Sequence, residues 1–213
     1  MTALPDSTTG SHGEPGWAIP DHLLSIAEYA ALGEPDSGFT ELVEGRLVMS
    51  PSTTRRHNKA LYALARQLEP QLPDHLEFIQ DIDVDLGLVP PGEPGFARRP
   101  DLIIALREAG ERIDEEDTMY HADDVVVVVE IVSPGSKRTD YVTKHGEYAD
   151  AGIPHYWIVD LNEPVSLVAC HQAGELGYQD APAMTGEFSA AEPFPVKLDL
   201  DRLLSPRGTG APR

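Results

Sequence analysis

Two acids stand where the sequence would otherwise bury only hydrocarbon. Asp101 opens the apolar run "DLIIAL", and Glu130 interrupts "VVVVVEIVS" after five consecutive valines. Continuous apolar runs of this length read as central strands covered on both faces. An ionised carboxylate in such a place costs several kcal/mol unless it is paired or bound to a metal. Two carboxylates on adjacent strands would converge on a hard cation, and Mg²⁺ takes one or two of them while keeping water and substrate phosphate as its other ligands. A structural ion pair between Glu130 and Arg98, Arg99 or Lys144 accounts for the charge equally well.

Lys144 gives the metal reading a partner. The segment "SKRTDYVTKHGEYADAG" reads as a helix, with Gly152 and then Pro154 at its end. On it, Lys144 lies one turn from Asp140 and one turn from Tyr148, beside the stripe of Tyr141 and Tyr148. Its stem would follow the buried face and carry the amine to the sheet edge. There it would orient a water for attack and stabilise charge on a phosphorane-like transition state. The plainer alternative is a surface lysine paired with Asp140.

His57 lies on the stripe His57, Leu61, Leu64, Leu68 and therefore faces inward, either as a satisfied core histidine or in a catalytic or phosphate-contacting role. Glu41, just ahead of a Glu44-Gly45 turn, is a candidate for a further ligand. The alternating acids of "DIDVDLG" do not make a calcium loop, because the sixth and twelfth positions, Leu86 and Gly92, are not the glycine and bidentate acid required. Successive acids on one strand face are also roughly 6.6 Å apart, so Asp81, Asp83 and Asp85 read as a wet face.

These residues need a scaffold. The sequence predicts a short helix in "DHLLSIAEYAALG", a hairpin in "TELVEGRLVMS", and a long helix from about Thr53 to Glu69 that stops at Pro70. A strand in "EFIQDIDVDLG" follows, then the two central runs separated by an acidic excursion read as loop with room for a helical turn. After the Lys144 helix come a strand pair, "HYWIVD" and "VSLVACH", and a last strand in "FPVKLDL". Strand, helix and strand in that order favour a right-handed crossover that lays the helix on the sheet.

Composition narrows the function. The chain has 213 residues and 41% hydrophobic content, which suits one globular domain. No apolar run is long enough for a membrane span, and residues 1–19 read as a flexible polar leader without the features of an export signal, so a cytoplasmic protein is expected. Cys170 is alone and reads as a packing residue. The 16 Lys and Arg face 36 Asp and Glu, a formal charge of -20, which repels a polyanion overall. Any nucleic-acid site must be a local exception. Arg55, Lys59 and Arg66 read as a solvated outer face of their helix, whereas Arg98, Arg99, Lys137 and Arg138 flank the two acid motifs and are candidate DNA contacts.

The order of motifs, "ELVEGRLVMSPS" with His57 behind it, "RPDLIIAL", "VVVVVEIVSPGS", "DYVTKHGEYADAGIPHYWIVD" and "FPVKLDL", resembles the bacterial family classed as putative restriction endonucleases of the Uma type. That family is a branch of the PD-(D/E)XK nuclease superfamily, and the likeness spans roughly residues 20 to 205. It implies an α/β, restriction-endonuclease-like core: a single domain over 20–205, a mixed central sheet flanked by helices, and a frayed tail over 206–213. Asp101 matches the first acid, Glu130 the second, Glu41 the acid ahead of the hairpin glycine, and His57 the family's histidine. The superfamily pattern places lysine two residues after the second acid, where this chain has Val132, and the resemblance implies that Lys144 on the following helix takes its part. The function implied is a Mg²⁺- or Mn²⁺-dependent endodeoxyribonuclease, expected as a homodimer, with Asp101, Glu130 and Glu41 as metal ligands, Lys144 positioning water, and His57 and Tyr148 in support. The alternative is a non-catalytic dimer of the same fold that binds nucleic acid or a protein. An enzyme acting on a small phosphorylated metabolite is a third option.

Overall fold

The computed structural model describes residues 20–204 apart from 34, 36, 37, 51, 52, 117 and 134, so the expected leader and tail lie outside the described residues. In chain order the elements are α1 (Ile26–Leu32), β1 (Phe39–Val43), β2 (Arg46–Ser50), α2 (Arg55–Leu68), β3 (Leu76–Gln80), β4 (Val84–Asp85), β5 (Ala97–Arg98), β6 (Leu102–Leu106) and α3 (Arg107–Glu116). Then follow β7 (Tyr120–His121), β8 (Val125–Val132), a π-helical stretch (Thr139–Lys144) running into α4 (His145–Asp150), and β9 (His155–Asp160). The chain continues through β10 (Ser166–Gln172), β11 (Tyr178–Asp180), β12 (Met184–Thr185), β13 (Glu187–Ala190) and β14 (Val196–Asp199).

One seven-stranded sheet runs β11-β10-β9-β8-β6-β3, with β12 also on β10, and a five-stranded sheet runs β2-β1-β5-β4-β7. The large sheet is mixed: β8 and β9 are parallel, joined through α4, and β6 lies antiparallel to β8. This is the expected α/β class with a restriction-endonuclease-like core. Strand β8 sits at the centre because its side chains have a layer to bury against on each face. Val127, Val129 and Ile131 pack with Leu61, Leu64 and Leu68 of α2. Val128 and Val132 pack on the other side with Tyr148 and Tyr156. The period of two along a strand puts Glu130 on that second side. Among the described residues, no helix is long and apolar enough to cross a membrane.

Two expectations from the sequence change. The acidic excursion holds a ten-residue helix, α3, whose buried Ala109 docks it while its many acids face water. The segment "EFIQDIDVDLG" is not one strand. It leaves the large sheet after β3, turns through Asp81 at φ 51°, and enters the small sheet as β4. The return crossing, from β5 to β6, passes through Asp101, and the Asp81 amide donates to the Asp101 carbonyl at 3.3 Å. Alternation predicted the buried Val84 and Leu86 correctly but carries no information on a change of sheet.

The hairpin turn behaves as its glycine predicted. Val43 pairs with Arg46, and the two residues between them, Glu44 and Gly45, have φ of 51° and 72°. These values belong to the mirror-image turn that matches strand twist. A Cβ on Gly45 would also lie 2.8 Å from Pro94 Cβ, so glycine is required twice over.

Candidate active site

Asp101, Glu130 and Lys144 meet on one open cleft of about 220 Å³, which His57, Asp81 and Asp140 also line. Each arrives for a local reason. Asp101 stands at the crossing between the sheets, where its Oδ2 accepts the Ile131 amide of β8 at 2.6 Å. His57 occupies the first turn of α2, capped by the Thr54 hydroxyl, which accepts its amide at 3.2 Å. Its Nε2 lies 3.0 Å from Asp101 Oδ2. Burial pulls the His57 imidazole down, but the hydrogen bond and charge of Asp101 outweigh it and the pKa is raised. His57 is thus neither a plain core histidine nor isolated: it is the hydrogen-bonding partner of the first acid.

Lys144 comes from the helix. An α-helix has 3.6 residues per turn, so a spacing of four overshoots by about 40° and the face drifts. The wider π-helical turn over Thr139–Lys144 takes up that drift, and Asp140, Lys144 and Tyr148 are all buried. Lys144 Nζ lies 2.7 Å from Glu130 Oε1 and 3.0 Å from Glu41 Oε1. The Tyr148 hydroxyl donates to the same Glu130 oxygen at 2.9 Å. Lys144 is not the surface partner of Asp140 that its spacing allowed. Val132 packs in the core beside Glu130, in the strand position where the superfamily carries its lysine.

The electrostatics are unbalanced. Lys144 resists burial because two carboxylates flank it, and its pKa rises. The Glu130 carboxyl is pushed up by burial, relieved in part by Lys144 and reinforced by Asp101, Asp140 and Glu41. Asp140 and Asp81 are raised as well, again by burial first, with Asp101 repelling both. Lys144, His57 and the Asp83-bound Arg99 bring less positive charge to the cleft than Asp101, Glu130, Asp140 and Asp81 bring negative, and a divalent cation would supply the deficit. The bonds described occupy Asp101 Oδ2 and Glu130 Oε1, which leaves Oδ1 and Oε2 as the oxygens for such an ion. A two-carboxylate Mg²⁺ site therefore fits these residues.

Three expected roles come out differently. Glu41 does not line the cleft: Oε1 faces Lys144 and accepts the Arg99 amide at 3.2 Å, and Oε2 accepts from Arg98 at 2.8 Å. Arg98 is 3% exposed and clamps Glu147 through two bonds of 2.6 and 2.7 Å, so it has no surface to offer DNA. Arg99 reaches the cleft but holds Asp83 at 2.8 and 2.9 Å and stacks over Phe39. Asp83 thus belongs to an ion pair, not to the wet face its alternation predicted. Lys137 and Arg138 are exposed as expected, with Lys137 3.2 Å from Asp160. Lys137 shares an adjoining groove with Arg56 and His57.

Sequence reasoning missed Asp140 and Asp81 as lining acids, and Glu147 as the second partner of Arg98. Asp140 had a signal, its spacing of four from Lys144. Asp81 had none, since its place depends on a sheet crossing.

The fold is shared with a solved structure of a putative nuclease belonging to DUF820 from Anabaena variabilis ATCC 29413, at TM-score 0.62 and 16% identity over 85% of this chain and 98% of that one. No curated protein matches the chain. The sequence profile of the family described as "Uma2: Putative restriction endonuclease" matches residues 26–202, which takes in every site residue named above. The chain belongs to this Uma2 family of putative restriction endonucleases.

Proposed function

We propose that the cleft is the active site of a Mg²⁺-dependent endonuclease that hydrolyses DNA phosphodiester bonds, with Mn²⁺ able to replace Mg²⁺. The observation that carries the proposal is the meeting of Asp101, Glu130 and Lys144 on one cleft. Asp101 and Glu130 would hold the cation through Oδ1 and Oε2. When bound, a divalent cation polarises the phosphoryl oxygen and makes water a better nucleophile at neutral pH. The rest falls to the chain. An ammonium has three donors; Lys144 gives two to Glu130 and Glu41, and the third is free to orient the attacking water. Glu41, joined to Arg98, holds Lys144 in place. Tyr148 fixes the Glu130 carboxyl, and His57, on the same cleft, would face the phosphate. Lys137, Arg138 and Arg56 form the local basic exception that a chain of charge -20 needs to approach DNA.

A homodimer is part of the proposal. Strand β2 ends its sheet and exposes Val48 and Met49. Pairing of such an edge with a second copy would cover both residues and build the dimer.

The rival reading is a non-catalytic protein of the same fold that binds nucleic acid or a protein partner. It draws on the inward Arg98 and on the two ion pairs that already satisfy Lys144. Calorimetric titration of Mg²⁺ and Mn²⁺ separates the two readings. Binding at millimolar concentration or tighter, lost in Asp101→Ala and Glu130→Ala, is expected. No binding by the folded wild-type chain would favour the rival.

A further inference from the structure

The element that carries Lys144 into the cleft also carries a different kind of donor, one residue on. His145, the first residue of α4, leans over the β10–β11 pair, where Cys170 and Asp180 stand directly opposite each other. His145 Nε2 lies 2.8 Å from Asp180 Oδ1. One ligand atom from each of His145, Cys170 and Asp180 falls within 4.8 Å of the other two. None of the three lines the cleft of Asp101 and Glu130.

The three differ in access. Cys170 is 1% exposed, while the side chains of His145 and Asp180 are 23% and 54% exposed. The thiol is therefore the buried member of the trio, and the imidazole and carboxylate are its partly exposed members. Tyr156 and Tyr178 present their rings edgewise to His145, with centroids at 6.3 and 5.3 Å, which limits how the imidazole can turn.

The donor set selects the ion. One sulfur, one nitrogen and one oxygen suit a borderline-soft cation of tetrahedral habit, whereas Mg²⁺ and Ca²⁺ demand oxygen throughout. Zinc bonds of about 2.0 to 2.3 Å place tetrahedral ligand atoms about 3.3 to 3.6 Å apart. His145 and Asp180 would have to part by about half an ångström, and any ligand atoms standing as far apart as 4.8 Å would have to close by about 1 Å, which the partly exposed imidazole and carboxylate can do by rotation.

We propose that His145, Cys170 and Asp180 form a Zn²⁺ site, with water in the fourth position, that clamps the start of α4 to the β10–β11 edge. On binding, the S–H bond of Cys170 breaks, its proton passes to solvent, and the thiolate sulfur gives its electron pair to zinc, with no change of oxidation state. Because His145 follows Lys144 directly, the clamp fixes the helix register on which the Lys144 amine depends. The site itself does not rest on the nuclease reading.

Co²⁺ added to the full chain, freed of metal, is the probe. A near-ultraviolet thiolate-to-cobalt charge-transfer band with the visible absorptions of four-coordinate cobalt is expected, both erased by added Zn²⁺. Cys170→Ser should lose the band. Asp180→Asn alters a half-exposed side chain and should fold normally, with Co²⁺ affinity lowered about tenfold or more. Glu130→Gln should keep the band, which separates this site from the acid cleft. No charge-transfer band in the folded wild-type chain would overturn the proposal, as would Asp180→Asn and His145→Ala variants that bind Co²⁺ as the wild type does.

Discussion

The amine of Lys144 lies 2.7 Å from Glu130 Oε1, although 14 residues separate the two in the chain. A strand lysine two positions beyond the acid would bring the amine to the site from the sheet. Here it comes from the helix that follows, through a π-helical turn that keeps Asp140, Lys144 and Tyr148 facing inward together. The pair is buried and shared with Glu41, so its loss would remove a buried ion pair together with the amine proposed to position water.

Lys144→Met takes the cation from Glu130 and leaves Glu41 with Arg98 alone. Removing one member of a buried pair costs about 3–5 kcal/mol, and a loss of that order in metal-free urea unfolding is expected. Mg²⁺ or Mn²⁺ should recover part of it by binding the folded chain. A variant as stable as the wild type would mean that the amine is not needed in the buried site.

The pH dependence follows from Glu130. Burial, eased in part by Lys144 and reinforced by Asp101, Asp140 and Glu41, lifts its carboxyl from 4.5 to about 8. The folded chain then holds this proton more tightly than the unfolded chain does. The stability it contributes is complete below 4.5 and is lost as pH rises through about 8. Metal-free melting temperatures should fall across that window, and Glu130→Gln, which stays neutral, should flatten the slope.

Asp101→Asn takes the negative partner from His57. Burial, which lowers the His57 pKa, is then no longer outweighed by the hydrogen bond and charge of Asp101. An NMR titration should show the imidazole pKa falling relative to the wild type. An unchanged value would mean that another group holds the proton.

The arginines and lysines beside the acids separate by role. Arg98→Ala should destabilise the chain by about 3–5 kcal/mol, because Glu41 and Glu147 lose a buried partner. Lys137→Ala and Arg138→Ala should leave stability within about 0.5 kcal/mol. Each should weaken DNA binding and reduce the slope of log affinity against log salt by about one, as measured by fluorescence anisotropy.

Much of this site was legible because burial and charge conflict locally. Five valines ahead of Glu130 and the apolar run behind Asp101 marked two expensive carboxylates, and the burial of both segments bears out their reading as covered strands. The stripe on α2 pointed His57 inward for the same reason. What stayed hidden depends on contacts between distant segments. Nothing near Asp81 announces that the chain changes sheets there, and nothing near Arg98 announces Glu41 and Glu147 as its partners. The helix α3 was concealed by its own acids, since only Ala109 of its ten residues is fully buried and a weak apolar stripe reads as loop.

If Asp101 and Glu130 hold a hydrolytic metal ion, purified protein cleaves plasmid DNA in Mg²⁺ or Mn²⁺ and depends on both acids to do so. The wild-type chain should convert supercoiled DNA to nicked or linear forms, and Asp101→Asn and Glu130→Gln, shown to be folded by circular dichroism, should be slower by about a hundredfold or more. Cleavage that persists at the wild-type rate in either variant would mean that the substituted acid holds no catalytic metal.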